Sequence, residues 1–270
     1  MKLYILTDNT SLTTYEPYLL AEPGLCFYME VDQQKILLDT GFSDVYIKNA
    51  KKMGLDLSDI DTIVFSHGHD DHTWGLPHYF EHFNNKKVNL VAHPDCLIQK
   101  YTKDGRACGF PILPEAIKHH LKVILSTQPK QLSTHLIFLG QIPQYCDFEP
   151  RYAMGYMGDL ETDDFIYDDS ALVYTTPEGI YVITGCSHSG ICNIIEHAKK
   201  VTGDDRVLGV IGGFHLLSLD SRSEQVLTYL EKQNIPKLFP CHCTSFQVRA
   251  AIENRIGIHE EIGCGFSIEL

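Results

Sequence analysis

Hydrophobic residues near the start of the chain form short runs whose length and alternation are typical of β-strands. These runs cover residues 1–7, 25–31 and 35–38, and residues 32–34 suit a tight turn between the last two. A pattern of helical period follows at residues 45–53 and ends before a glycine. The first part of the chain therefore predicts a layer that is rich in β-strands.

The middle of the chain is less regular. The apolar segments 60–65 and 88–92 predict two more strands, while segments 73–83 and 95–100 predict short helices. Residues 101–170 are interrupted by glycine and proline and contain many aromatic residues. Long irregular segments of this kind often shape binding sites, so we expect a lobe there that shapes the active site.

In the last third of the chain, segments with the period of a β-strand alternate with segments with the period of a helix. We predict strands at 171–175, 179–184, 207–211, 237–240 and 260–268, and helices at 190–201, 223–233 and 246–255. This alternation, after a strand-rich start, favours an α/β fold with two β-sheets flanked by helices. A length of 270 residues is compatible with a single domain over residues 1–270.

The composition narrows the classes of partner. The net charge is −13, from 22 basic and 35 acidic residues, and no segment is rich in lysine and arginine. Extended nucleic acids need a basic surface, so we expect a small-molecule substrate instead. No apolar run is long enough to cross a membrane, and the N-terminal run is too short for a signal peptide. We expect a cytoplasmic protein, and a homo-oligomer is compatible with the sequence.

The nine cysteines do not follow the spacing of a small disulfide-stabilised domain or of a zinc ribbon. We expect most of them to be buried thiols. Cys186, Cys241 and Cys243 differ from the others because each lies within two residues of a histidine.

Potential metal ligands are most concentrated in the segment Ser66-His67-Gly68-His69-Asp70-Asp71-His72. It places three histidines and two aspartates directly after a predicted strand. Imidazole nitrogens and carboxylate oxygens are ligands for divalent metals, and one such segment can serve two adjacent ions. We therefore predict a metal-dependent enzyme.

Further polar residues follow other predicted strands. Asp39 ends one strand, Cys186 and His188 follow another, and His215 and His242 follow the next two. Side chains at strand ends are held in position by the sheet, so this repeated placement predicts one functional edge.

These residues resemble those of the metallo-β-lactamase superfamily, and more narrowly the branch of dihydropterin ribofuranosyl-aminobenzene-phosphate synthases. The resemblance to the superfamily is carried by Asp39 and the His67-x-His69-x-Asp71-His72 pattern. The resemblance to the branch is carried by four segments, which are Asp168-Asp169-Ser170-Ala171-Leu172, Thr184-Gly185-Cys186-Ser187-His188-Ser189-Gly190, Gly212-Gly213-Phe214-His215-Leu216 and Pro240-Cys241-His242-Cys243-Thr244.

The resemblance implies an αββα sandwich with a metal site at one edge between the sheets. It implies that His67 and His69 bind one metal and that Asp71 and His72 bind a second. His242 resembles the last family ligand. Asp39 resembles an acid that braces the metal-binding loop without touching the metal.

Three positions depart from the common family pattern. His188 is the better candidate for the remaining ligand of the first metal. Cys186 stands where many members have a bridging aspartate, and it is either a thiolate ligand or a buried thiol at a tight turn. His215 is a ligand, a substrate contact or the cap of a strand end.

The chemistry that these residues favour is hydrolysis of a small phosphorylated or ester substrate by metal-activated water. Asp71 would accept a proton or position the nucleophile. The alternatives are a methanopterin-type transferase that joins a dihydropterin to an arylamine ribose phosphate, a diiron redox or metal-sensing protein, and a non-catalytic binding module. One or two Zn²⁺ ions are expected because His69 is an imidazole, while Fe or Mn stays open.

Overall fold

The computed structural model describes residues 1–12, 15–83, 88–112, 114–256 and 260–270, with the side chains of 114 and 115 left out. The chain divides into two compact units. Unit 1 comprises Met1–Thr127, Ala153–Asp168 and Gly263–Leu270, and unit 2 comprises Gln128–Tyr152 and Asp169–Ile262. The single domain predicted over residues 1–270 stays a prediction.

The strands alternate with helices along most of the chain. In chain order they are β1 (Lys2–Thr7), β2 (Cys26–Val31), β3 (Gln34–Leu38), β4 (Thr62–Val64), β5 (Val88–Ala92), β6 (Lys100–Thr102), β7 (Leu121–Leu125), β8 (Lys130–Gln131), β9 (Leu136–Phe138), β10 (Gly155–Met157), β11 (Asp163–Asp164), β12 (Ala171–Thr176), β13 (Gly179–Thr184), β14 (Val207–Gly213), β15 (Lys237–Cys241) and β16 (Ser267–Glu269).

The helices differ widely in length. They are α1 (Val45–Lys52), α2 (Asp70–Thr73), α3 (Leu76–His82), α4 (Pro114–Ile117), α5 (Ile191–Thr202), α6 (Ser221–Gln233) and α7 (Phe246–Ile256), with a 3₁₀ turn at Pro94–Leu97. None of the helices in the described ranges is both long and apolar enough to cross a bilayer.

Unit 1 is built on a seven-stranded sheet with the order β16-β1-β2-β3-β4-β5-β7. The strands from β16 to β3 pair antiparallel, and those from β3 to β7 pair parallel. Helix α1 packs against β1, and the Asn49 side chain donates to the carbonyl of Leu6 at 2.7 Å. A second sheet of unit 1 has the order β11-β10-β6.

Unit 2 is built on a six-stranded sheet with the order β15-β14-β13-β12-β9-β8. Strands β13, β14 and β15 are parallel, so their carboxyl ends lie at the same edge. Helix α5 packs on β12 and β13. Asp220 caps the N-terminus of helix α6: its carboxylate accepts from the Ser223 amide at 2.9 Å and so satisfies one free donor of the first turn.

Each unit has its own apolar core. In unit 1, neighbouring strands contribute the fully buried side chains of Leu37, Ile63 and Leu90. In unit 2, the side chains of Val182, Val210 and Leu238 are also fully buried. The near-continuous apolar strands recognised in the sequence are the central strands of these sheets, which are covered on both faces.

Three predicted segments differ from the structure. Residues 95–100, predicted as helical, form the end of the 3₁₀ turn and the first residue of β6. Of the strand predicted at 260–268, only the end is part of β16. The irregular lobe predicted at 101–170 contains strands β7 to β11. Short segments of this kind take their structure from pairing with distant strands, which local periodicity does not record.

Candidate metal centre

The histidine-rich segment starts two residues after β4 and runs into α2. His67 Nε2 lies 3.0 Å from His69 Nδ1. One nitrogen of each ring and one carboxylate oxygen of Asp71 all lie within 4.8 Å of one another. Three side chains with the chemistry of metal ligands are therefore gathered around one point, without help from any other element.

Asp39 holds the His72 ring in position. Its carboxylate oxygen Oδ2 lies 2.7 Å from His72 Nδ1, and both side chains are fully buried. A carboxylate in this position accepts the Nδ1 proton, so Nε2 is the ring nitrogen with the chemistry of a metal ligand. That Nε2 lies 3.7 Å from the Asp71 carboxylate. The geometry is the one expected of an acid that orients a ligand.

Asp39 also orients the start of the segment through Ser66. The Ser66 amide and hydroxyl donate to the two oxygens of Asp39 at 2.8 and 2.7 Å. The same hydroxyl lies 3.0 Å from His67 Nδ1. Since that hydroxyl gives its proton to Asp39, it accepts one from Nδ1, so Nε2, which lies against His69, is the unprotonated ring nitrogen with the chemistry of a metal ligand.

A buried ion network, missed by sequence reasoning, holds the turn between the first two histidines. The Lys100 ammonium donates to Asp164 at 2.9 Å and to Asp168 at 2.8 Å. The second oxygen of Asp168 accepts from the Gly68 amide at 2.8 Å. Lys100 and Asp168 are fully buried. The only sequence signal was Asp168 itself, which lies in a segment quoted for the family resemblance.

The charges of this network act on the histidines as well. Burial and the nearby Lys100 ammonium lower the pKa of His69. The imidazole therefore stays neutral at physiological pH, which is the form that binds a metal.

Gly68 has no room for a side chain. A Cβ at this position would lie 2.4 Å from the carbonyl oxygen of Cys96, which is backbone and cannot move aside cheaply. We expect Gly68→Ala to cost about 1–3 kcal/mol of unfolding free energy and to lower metal content by displacing both histidines. Urea unfolding and elemental analysis measure the two effects.

Gly54→Ala is the control for that variant. The site at Gly54 is open but left-handed, with φ of +73°. It should cost about 1 kcal/mol from backbone strain and leave metal content unchanged. Equal metal content in both variants would contradict the role given to Gly68.

The buried network should also make stability depend on pH in acid. Burial alone would raise the pKa of Asp168, but the Lys100 ammonium lowers it below the ordinary value. A carboxyl whose pKa is lower in the folded state stabilises it above the unfolded-state pKa, and this contribution is lost as the pH falls through the folded-state value.

We therefore expect urea unfolding midpoints to fall as the pH drops below about 4. Asp168→Asn should lower the midpoint at neutral pH and flatten this acid dependence. Asp205→Asn, at an exposed position, should keep the wild-type slope. An unchanged slope in Asp168→Asn would contradict the assignment.

A cavity of about 340 Å³ lies beside the histidine segment within unit 1. His69 and Asp71 form part of its wall, and Phe42, Tyr101 and Arg106 form other parts. This volume is at the lower end of the range for small-molecule sites. The cavity therefore offers a small molecule both apolar surface and access to the candidate ligands.

Unit 2 holds the other predicted residues at the shared edge of its parallel strands. Cys186 and His188 follow β13, His215 follows β14, and His242 follows β15. His215 and His242 have left-handed backbones, with φ of +48° and +49°. Such backbones are uncommon for residues other than glycine and cluster at functional sites.

These loops bring several of the side chains together. The rings of His188 and His215 lie with centroids 4.3 Å apart. Donor atoms of Cys186, His215 and Cys243 lie within 4.8 Å of one another. Burial alone would raise the pKa of Cys243, but Cys186, His215 and His242 lower it well below the ordinary thiol value. The sequence signal for Cys243 was its position next to a histidine.

Within each unit, the predicted residues lie on neighbouring segments. In unit 1 the structure gathers His67, His69, Asp71 and His72 in front of Asp39. In unit 2 it places Cys186, His188, His215 and His242 on adjacent loops. The donor types and their spacing fit a divalent metal, while the role of each residue as a ligand stays a prediction.

Comparison with known proteins defines the class. The family model of the metallo-β-lactamase superfamily matches residues 20–123. The fold matches the crystal structure of Tm1679, a metal-dependent hydrolase of the β-lactamase superfamily, with a TM-score of 0.83 and 26% identity over 100% of this chain and 99% of that one. The α/β metallo-β-lactamase fold predicted from the sequence is confirmed.

Two relatives from Methanocaldococcus jannaschii match at greater sequence identity. An uncharacterized protein is 31% identical over 90% of this chain and 90% of its own length. The chain belongs to the metallo-β-lactamase superfamily. It is also 28% identical to a 7,8-dihydropterin-6-methyl-4-(β-D-ribofuranosyl)-aminobenzene-5′-phosphate synthase, over 92% of this chain and 88% of that protein.

Proposed function

We propose that this protein is a zinc-dependent hydrolase of a small phosphorylated or ester substrate. The observation that carries the proposal is the set of His67, His69 and Asp71 donor atoms within 4.8 Å of one another, at the wall of a cavity of about 340 Å³. Superfamily membership supports the same class of chemistry.

The residues of unit 1 have distinct roles in this proposal. His67, His69, Asp71 and His72 would hold the metal, and Asp39 and Ser66 orient two of the imidazoles. A divalent metal held there supplies Lewis-acid chemistry, since it polarises a substrate oxygen and makes a water acidic enough to deprotonate near neutral pH. The predicted ligands of unit 2 are His188, His242, Cys186 and His215.

Asp71 is the residue assigned to proton transfer. It lies 28% exposed at the cavity wall, whereas His72 beside it is fully buried. A carboxylate that is partly open to the cavity can accept a proton from the attacking water and return it to the leaving group. Phe42 and Tyr101 would cover the apolar part of the substrate and reduce the water around it.

The cavity also suits an anionic group on the substrate. The Arg106 guanidinium lies in its wall, paired with Asp70 at 2.5 Å, and the arginine side chain is 57% exposed. A guanidinium with free donors binds a phosphate or carboxylate. This supports a phosphorylated substrate in spite of the net charge of −13.

The test is metal analysis followed by a substrate screen. Protein purified without added metal should contain about one or two zinc ions per chain, and it should hydrolyse members of a phosphodiester, thioester and lactone panel. The His67→Ala/His69→Ala variant should lose metal and activity, while His78→Ala, outside the segment, should keep both. Wild-type protein without stoichiometric metal, or unaltered metal in the double variant, would contradict the proposal.

A transferase is the second candidate, and the 28% identity to the named synthase favours it. In that case a metal held by His67, His69, Asp71 and His72 would supply positive charge for a pyrophosphate leaving group, and Arg106 would contact the same group. Mixing a dihydropterin diphosphate with an arylamine ribose phosphate would release pyrophosphate only if both substrates are present. Hydrolysis of either compound alone would favour the hydrolase.

A further inference from the structure

Two cysteines of unit 2 meet where the segment after β9 contacts the start of helix α5. Cys192 is the second residue of α5 and is fully buried. Cys146 is partly exposed and packs against the apolar core that contains Cys192. A hydrogen bond joins the two thiols. Neither thiol is among the candidate metal ligands, so the pair is a separate feature of the fold.

The Asn193 carboxamide holds the Cys146 backbone beside the helix. Its oxygen accepts from the amides of Tyr145 at 2.6 Å and of Cys146 at 2.7 Å. Its nitrogen donates to the Glu149 carbonyl at 3.2 Å, and the Glu149 amide donates to the Cys146 carbonyl at 3.2 Å. Because Asn193 is fully buried and directly follows Cys192, these bonds keep the two cysteines at the same turn of α5.

The Glu149 side chain attaches the same segment to the helix a second time. Its carboxylate accepts from the Asn193 amide at 3.0 Å. A Cβ at Gly190 would lie 2.3 Å from the oxygen that accepts this bond, so the glycine is what lets the carboxylate reach the first turn. Two side chains, one from each partner segment, therefore hold Cys146 in place.

The two thiols differ in reactivity. The hydrogen bond with Cys192 lowers the pKa of Cys146. Burial, followed by the same hydrogen bond, raises the pKa of Cys192 well above the ordinary value. The thiolate is the form that reacts with oxidants, and partial exposure lets a small oxidant reach Cys146. Cys146 is therefore suited to react first, with Cys192 as the protonated thiol beside it.

We propose that Cys146 and Cys192 form a reversible redox modification site, which hydrogen peroxide converts to a disulfide. The Cys146 sulfur attacks one peroxide oxygen, so an S–O bond forms, the O–O bond breaks, and the second oxygen leaves as water with the thiol proton. The Cys192 sulfur then attacks the sulfenic sulfur of Cys146, so an S–S bond forms and the S–O bond breaks. The departing hydroxide takes the Cys192 proton and leaves as water. The two thiols lose two electrons, and the peroxide gains them.

The test is peptide mapping of the full chain as purified, freed of reductant and treated with hydrogen peroxide. The remaining thiols are blocked with iodoacetamide, and trypsin cleaves after Arg151, which places Cys146 and Cys192 on different peptides. Cys186 shares the peptide of Cys192, so fragmentation of the linked peptides identifies the cysteine that is joined. We expect a link between Cys146 and Cys192 that dithiothreitol removes. No step uses a metal, so the result does not depend on the proposed hydrolase activity.

Two comparisons separate this pair from the other thiols. Cys192→Ala removes the second thiol, so sulfenic acid should accumulate at Cys146, where dimedone captures it. Cys108 is the reference for rate in the wild type, because burial raises its pKa to about 11. Cys146 should be oxidised at least about tenfold faster, from its larger thiolate fraction less the lower nucleophilicity of a more acidic thiol. Cys108→Ser should leave the link unchanged.

Three outcomes in the wild type would overturn the proposal, and they hold even if Cys192→Ala does not fold. The first is a Cys146 that stays reduced, or reaches the sulfinic acid, without forming a link. The second is a link from Cys146 to a cysteine other than Cys192. The third is oxidation of Cys146 and Cys108 at equal rates.

Discussion

Asp71→Asn is expected to lower kcat by about 10²–10⁴-fold on any ester that the wild type hydrolyses, because the amide cannot accept a proton. The substitution keeps the size of the side chain, so the loss should come from chemistry and metal binding, with little change in folding. Steady-state kinetics, elemental analysis and thermal unfolding measure the three quantities on the same preparation.

Asp95→Asn is the matched control for that variant. Asp95 also follows a strand of the seven-stranded sheet, and its side chain is 32% exposed against 28% for Asp71. It should keep wild-type kcat and metal content. A kcat within tenfold of the wild type in Asp71→Asn, at full metal content, would remove Asp71 from the proposed proton transfer.

Lys100→Met should be the most destabilising single substitution in the ion network of unit 1. Removing the ammonium leaves Asp164 and Asp168 buried with no opposing charge from Lys100. Breaking a buried ion pair costs roughly 3–5 kcal/mol. Because Asp168 holds the Gly68 amide, metal content should fall together with stability. Urea unfolding and elemental analysis are the measurements.

The control for Lys100→Met is the exposed ion pair between Lys35 and Asp59, whose side chains are 31% and 56% exposed. Lys35→Met should cost no more than about 1 kcal/mol, since solvent screens the pair. If both variants lose the same stability, the buried network has no special role in holding the metal-binding turn.

The combined variant Lys100→Met/Asp168→Asn tests how the network acts. If Lys100 serves mainly to neutralise Asp168, the second substitution should recover part of the lost stability because it removes one unpaired charge. Metal content should stay low, since an asparagine accepts more weakly than a carboxylate from the Gly68 amide. Recovery of both quantities would mean that Asp168 does not position the histidines.

The sequence was most informative where a motif is local. His67, His69, Asp71 and His72 lie within six positions, so their proximity follows from chain connectivity with little contribution from the rest of the fold. The central strands were equally visible, because a run of buried apolar residues between turn residues has few other structures available. The structure of segments 95–100 and 260–268 could not be predicted from such a pattern.

By itself, the sequence determined the α/β class, the superfamily and the residues whose chemistry suits a metal. These depend on donor type, hydrophobic period and close spacing along the chain. The tertiary structure alone decided that Lys100 and Asp168, 68 residues apart, meet behind Gly68, and that Cys243 faces Cys186 across the end of β14. Contacts of this kind are set by strand order and register, and neither is encoded in the local pattern of residues.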